Sequence, residues 1–202
     1  MSGIIAQNSG RHGGLIKASS GGGGVWNLIQ TLTSDGSDAS LSFTSGIDST
    51  YDEYVFVFNN IHPETNDTQL TFQVNADGES GFNETITSNF FDAYHNESDA
   101  NEALRYIASF DQAEGTGYQN LGVLGDDAGN DLCGDGYLHL FSPSSTTFVK
   151  HFISRFQSGE NLYAKDQHCG GYINTTAAIT EIDFKMSADE IQGGSISMYG
   201  IT

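Results

Sequence analysis

Apolar residues in this chain recur mostly at every second position, in short runs. Leu41 and Phe43 alternate with serine and threonine, and Leu70, Phe72 and Val74 alternate with Thr71 and Gln73. Ile182, Phe184 and Met186 alternate with Glu181, Asp183 and Lys185. Period two is the side-chain repeat of a β-strand that turns one face to a core. The run Tyr54-Val55-Phe56-Val57-Phe58 is apolar at both parities, which predicts a strand covered on both faces. Tyr137 to Phe141 reads as a further strand. Next, Phe148, Phe152 and Phe156 share one parity with Lys150 and Ser154, while Val149 and Ile153 share the other with His151 and Arg155. Asp77-Gly78 is a hairpin signal, because glycine tolerates the positive φ of tight turns. A last strand, Ile196 to Ile201, is expected to start after a turn at Gly193-Gly194.

Helical spacing is nearly missing. The best candidate, Ser98 to Tyr106, has Asp99 and Glu102 near its start and Leu104 and Tyr106 later, and predicts a loop or single turn. Short strands separated by Gly-, Asn- and Asp-rich turns predict an all-β fold, an antiparallel β-sandwich of jelly-roll type. The 202 residues suit one such body with an extended N-terminal arm. The boundary falls at the glycine tract Gly21 to Gly24, giving an arm over 1–24 and a sandwich over 25–202.

The arm carries two apolar pieces, Ile4-Ile5 and Leu15-Ile16, with the cations Arg11 and Lys17 between and beside them. Two readings stay open: a frayed terminus, or a docking arm that orders against a partner. Burying its four large aliphatic side chains would contribute about 1.5–3 kcal/mol each before ordering costs.

Charge narrows the partners. Seven Lys and Arg face 26 Asp and Glu, a formal net charge of −19. Nucleic-acid binding needs a basic face that displaces counterions, so neither nucleic acid nor an anionic membrane is expected as a partner. The acidity suits solubility at high concentration. No signal-peptide pattern or long apolar span is visible, so a cytoplasmic origin and no membrane insertion are expected. Cys133 and Cys169 lie far apart and read as small buried or half-buried hydrophobes, with a bond between them the lesser alternative.

Catalytic signatures are missing: there is no G-x-S-x-G, no phosphate loop and no H-E-x-x-H. The expectation is a non-enzyme. His139 and His151 fall on adjacent predicted strands and could meet across a sheet, although ordinary polar strand positions explain them as well. With 26 acids, chance pairs of carboxylates are unavoidable and carry no weight for glycan cleavage. The best metal candidate is the loop with Asp126, Asp127, Asn130, Asp131 and Asp135, where Ca2+ could find oxygen ligands. The spacing is not that of an EF-hand, and a solvated acidic loop is the competing reading. Tyr51, Tyr94, Tyr118 and Tyr163 lie in or near Asn-, Asp- and Gly-rich stretches. They could stack on sugar rings, or could pack loops onto the sandwich.

Three phrases are more specific than composition: GIIAQNSGRHGGLIKA, LHLFSPSSTTFVKHF and GYINTTAAITEIDFKMSADEIQGGSISMYGI. Together they resemble a family of small virion proteins of tailed phages that infect marine bacteria. The resemblance runs from the arm to the C-terminus and carries over no catalytic residue. It implies a virion component assembled in the host cytoplasm, with a β-sandwich body docked to other virion proteins. A tail fibre or tail-associated adhesin is the first expectation. A capsid decoration or cement protein is the alternative, and a glycan-binding or glycan-cleaving module the third. Self-association as a homotrimer and contact with a host surface glycan complete the expected partners.

Overall fold

The computed structural model describes residues 25–125, 132–160 and 162–201. Twelve strands follow in these residues: β1 (Trp26–Thr33), β2 (Leu41–Phe43), β3 (Glu53–Pro63), β4 (Thr68–Ala76), β5 (Ile86–Asn96), β6 (Glu102–Tyr106), β7 (Gln119–Leu124), β8 (Gly134–Phe141), β9 (Lys150–Glu160), β10 (Tyr163–Ile173), β11 (Ile179–Met186) and β12 (Ile191–Ile201). They form two antiparallel sheets packed as a sandwich. The large sheet has the order β1-β12-β3-β8-β9-β10-β5-β6, and the small one β2-β11-β4-β7. No helix among the described residues is long and apolar enough to cross a membrane.

The predicted alternation becomes the interface between the sheets. Phe56 and Phe58 of the large sheet and Phe43, Phe72 and Phe184 of the small one are all buried. Phe184 sits at the centre, with its ring 5.4 Å from those of both Phe56 and Phe58, 6.3 Å from Phe43 and 6.4 Å from Phe72. Tilted and edge-on pairs at such separations add to plain area burial. A polar seam ties the edge of the small sheet to the large one. Gln167 Oε1 accepts from the Val123 amide at 2.7 Å, while Ser158 Oγ donates to the Val123 carbonyl at 2.6 Å and accepts from Gln167 Nε2 at 2.9 Å. Buried and mutually satisfied, these groups avoid the cost of unpaired polar atoms.

Three local expectations are corrected. The segment 98–106 contains strand β6 rather than a loop or single turn. Its residues pair with β5 from His95↔Glu102 to Phe91↔Tyr106. The Asn96 side chain closes the connection by accepting the amides of Ala100 and Asn101 at 2.8 and 3.0 Å, and Asp99 takes φ 55°. Gly193-Gly194 is no turn, because β12 runs through it with two register irregularities against β3. Gly194 has φ +100°, and a Cβ there would lie 2.5 Å from the Asn60 carbonyl oxygen, so only glycine fits the bulge. Phe148 does not belong to the strand that buries Phe152 and Phe156. The amides of Thr147 and Phe148 are held by Ser145 Oγ in a turn, and the strand starts at Lys150.

Candidate functional site

The large sheet is twice as wide as the small one, so part of its inner face overhangs. Residues 107–118 cover some of the overhang. The Phe110 ring lies 5.1 Å from Phe90, and the Ile86 and Ser88 amides donate to the carbonyls of Gly115 and Gln112. The remainder is open and forms a pocket of about 240 Å3 lined by Tyr94, Asn101, Arg105, Glu160, Tyr163 and Lys165.

Register assembles it. Lys165 lies opposite Tyr94, and Tyr163 opposite Asn96, across the β10–β5 ladder. Across the β5–β6 ladder, Arg105 lies opposite Asp92. Asp92 is buried and accepts Arg105 Nε at 3.0 Å and Nη2 at 2.6 Å, a two-pronged pair that holds the guanidinium above its already high pKa. The same guanidinium stacks over the Tyr94 ring at 4.5 Å, and Tyr163 meets Tyr94 edge-on at 5.6 Å. Lys165 pairs with Glu160. Burial pulls the lysine below its ordinary pKa, partly offset by Asp92. The described residues contain five Lys and Arg, and two of them line this pocket. Each has a carboxylate partner, so the pocket offers donors, acceptors and ring surface without net charge. That set suits a ligand rich in hydroxyl groups.

The sequence-predicted residues are distributed unevenly. Tyr94 and Tyr163 come together here. Tyr118 lies on the outer face of the small sheet, with its hydroxyl donating to Asp183 Oδ2 at 2.8 Å and Lys185 Nζ 3.9 Å from its ring centre. Burial, then the Asp183 bond, pushes its pKa up. Tyr51 packs edge-on to Tyr54 at 5.7 Å and lies over Gly200, where a Cβ would fall 2.2 Å from the ring. Both therefore hold loops to the sandwich. His139 and His151 are on adjacent strands but take different partners: His139 bonds Glu53, and the His151 ring lies 6.1 Å from Tyr172.

Asp126, Asp127, Asn130 and Asp131 lie outside the described residues, as do Ile4, Ile5, Arg11, Leu15, Ile16 and Lys17 of the arm. Asp135, at the start of β8, accepts the Asn60 amide at 2.8 Å. Among the described residues no group of three or more His, Cys, Asp or Glu is placed to hold a metal ion. Cys133 and Cys169 are free thiols, half-buried and buried, and burial pushes Cys169 up to about 12.

Arg105, Asn101, Glu160 and Lys165 were missed in the sequence. A usable signal was present for two of them: cations are so scarce that Arg105 and Lys165, near tyrosines, were worth pairing. No family model matches this chain, and no curated protein or solved structure does either.

Proposed function

We propose that this chain is a non-enzymatic structural protein of a phage virion, a tail-fibre or tail-associated adhesin body docked through residues 1–24. The observation that carries the reading is the strand order. Taken alone, β1, β2, β3, β4, β7, β8, β11 and β12 make eight successive strands. They are arranged first-eighth-third-sixth in one sheet and second-seventh-fourth-fifth in the other. We read this as two interleaved Greek keys, a jelly roll, an architecture shared by viral coat and sugar-binding domains. The hairpins β5–β6 and β9–β10 are then insertions that widen one sheet.

The candidate pocket supports the adhesin assignment. Tyr94, Arg105, Glu160, Tyr163 and Lys165 all lie on the inserted strands, and Asn101 on the connection between two of them. The site sits on the inner face of the insertions, and function is argued from such sites rather than from the fold. Its ring and amide lining suits a surface polysaccharide of the host.

The test combines placement and binding. In cryo-EM maps of purified particles the sandwich is expected on the tail, with the pocket facing outward and the arm against a neighbouring virion protein. Density between capsid subunits, with a copy number near that of the major capsid subunit, would make it a decoration protein instead. The Tyr163→Ala variant is expected to bind host polysaccharide at least about tenfold more weakly, by loss of a stacking ring. Unchanged binding would remove the pocket from the reading.

A further inference from the structure

The outer face of the eight-stranded sheet differs in character from the rest of this acidic molecule. The ladders place Trp26 and Leu28 at its β1 edge, Leu104 and Tyr106 at its β6 edge, and Phe91, Tyr137 and Ile153 between them. All seven are exposed, from 36% at Tyr137 to 74% at Leu104. The other large exposed hydrophobics among the described residues are Val25, Phe148 and Leu162, none of them within a strand. Seven large apolar side chains exposed on one face of a sheet, three of them walling a common hollow, are more than a solitary soluble domain ordinarily leaves bare.

Carboxylates on the same face are few, and most of them hold a partner. Of 26 acids, the strands present four here: Glu53, Glu102, Asp135 and Asp166. Asp166 accepts Arg155 Nε at 2.9 Å and Nη2 at 2.8 Å, with His168 Nε2 at 3.3 Å, and this pairing with Arg155 holds its carboxyl below the usual range. Glu53 is bonded to His139, and Asp135 is taken by the Asn60 amide. The His168 ring lies flat on Phe91, 4.9 Å between centroids. Beside that stack Gly170 leaves a hollow of about 500 Å3, walled by Tyr137 and Ile153.

We propose that this face is where copies of this chain associate, sheet against sheet. Three observations select a second copy as the occupant. Surfaces bearing the remaining acids repel one another, so two chains of net charge −19 approach more readily on a face with four strand carboxylates, three of which hold a hydrogen-bond or ion-pair partner. With strands about 4.8 Å apart and ladders some 20 Å long, eight strands offer roughly 750 Å2, close to the ~800 Å2 per partner of a stable interface. The face is also self-complementary: it carries projecting side chains, a hollow, and both members of the Arg155–Asp166 pair, as a symmetric contact requires. The inference does not rest on the virion reading and holds for an isolated protein in solution.

Sedimentation equilibrium on the full chain tests it. The wild type is expected to be oligomeric at micromolar concentration. Ile153→Asp and Gly170→Glu are each expected to raise the dissociation constant at least about tenfold. Phe148→Asp, off the face, should leave it unchanged. Gly170→Glu keeps the test sound if Ile153→Asp misfolds, because a Cβ at 170 lies an ordinary 3.7 Å from Ile153 Cγ2. A monomeric wild type overturns the proposal, whether or not the face then captures a polysaccharide. So does an oligomer that both variants leave intact, which would move the contact elsewhere, for instance to residues 1–24.

Discussion

The outward faces of the two sheets follow opposite rules. The small sheet's is polar and covered. Asp183 and Gln73 lie opposite each other on it and are both buried. Asp183 accepts from Ser42 and Tyr118, and Gln73 Nε2 donates to the carbonyls of Glu84, Thr116 and Gly117 at 2.9, 3.2 and 2.9 Å. Those bonds clamp two loops over the sheet. The large sheet's outward face leaves seven large apolar side chains exposed, although Val55 on it is buried. Alternation of side chains says only that one parity faces the core. Whether the other parity meets water, a loop or another molecule depends on what the chain folds over it.

Variants break this comparison in a graded way. Phe184→Ala, in the core beneath both faces, sets the scale: about 3–5 kcal/mol of stability should be lost, read from urea midpoints. Gln73→Leu should cost about 1–3 kcal/mol, because three loop carbonyls lose their donor, and hydrogen exchange should rise at 84 and 116–117.

Alkali should reach the core and the covered face next. Burial pushes Tyr54 up to about 12, and Tyr118 is raised too. A raised folded-state pKa stabilises fully below the ordinary tyrosine value of about 10, and that contribution is lost as pH climbs from there through the folded value. Urea midpoints should fall across this window, and less steeply in Tyr118→Phe. A midpoint indifferent to pH there would mean that both hydroxyls are solvated. The smallest effect is expected on the bare face: Leu104→Ser should change the stability of the dissociated chain by no more than about 0.5 kcal/mol. A larger loss would mean that Leu104 packs against something within its own chain.

The fold was largely legible from residue pattern, and the site was not. Leu70-Phe72-Val74 and Ile182-Phe184-Met186 are buried at the parity their alternation predicts, and both parities of Tyr54 to Phe56 are buried. β6 escaped because five residues with only Leu104 and Tyr106 as apolar marks are too few to separate a strand from a turn. Of the four tyrosines, the sequence could not tell Tyr94 and Tyr163, which share a pocket, from Tyr51 and Tyr118, which pack loops.

By itself, the sequence determined the alternation, and with it the β-class and the core side of most strands, since a period of two is a local property of extended backbone. It also determined the acidity and the scarcity of cations. Only the tertiary structure decided which strands are neighbours, and three outcomes depend on that. Tyr94, Arg105 and Lys165 meet across two ladders, Gly194 must be glycine because β3 passes against it, and seven exposed apolar side chains from five strands share one face of the large sheet. Pairing between distant segments is set by the packing of the whole chain, and no local pattern encodes it.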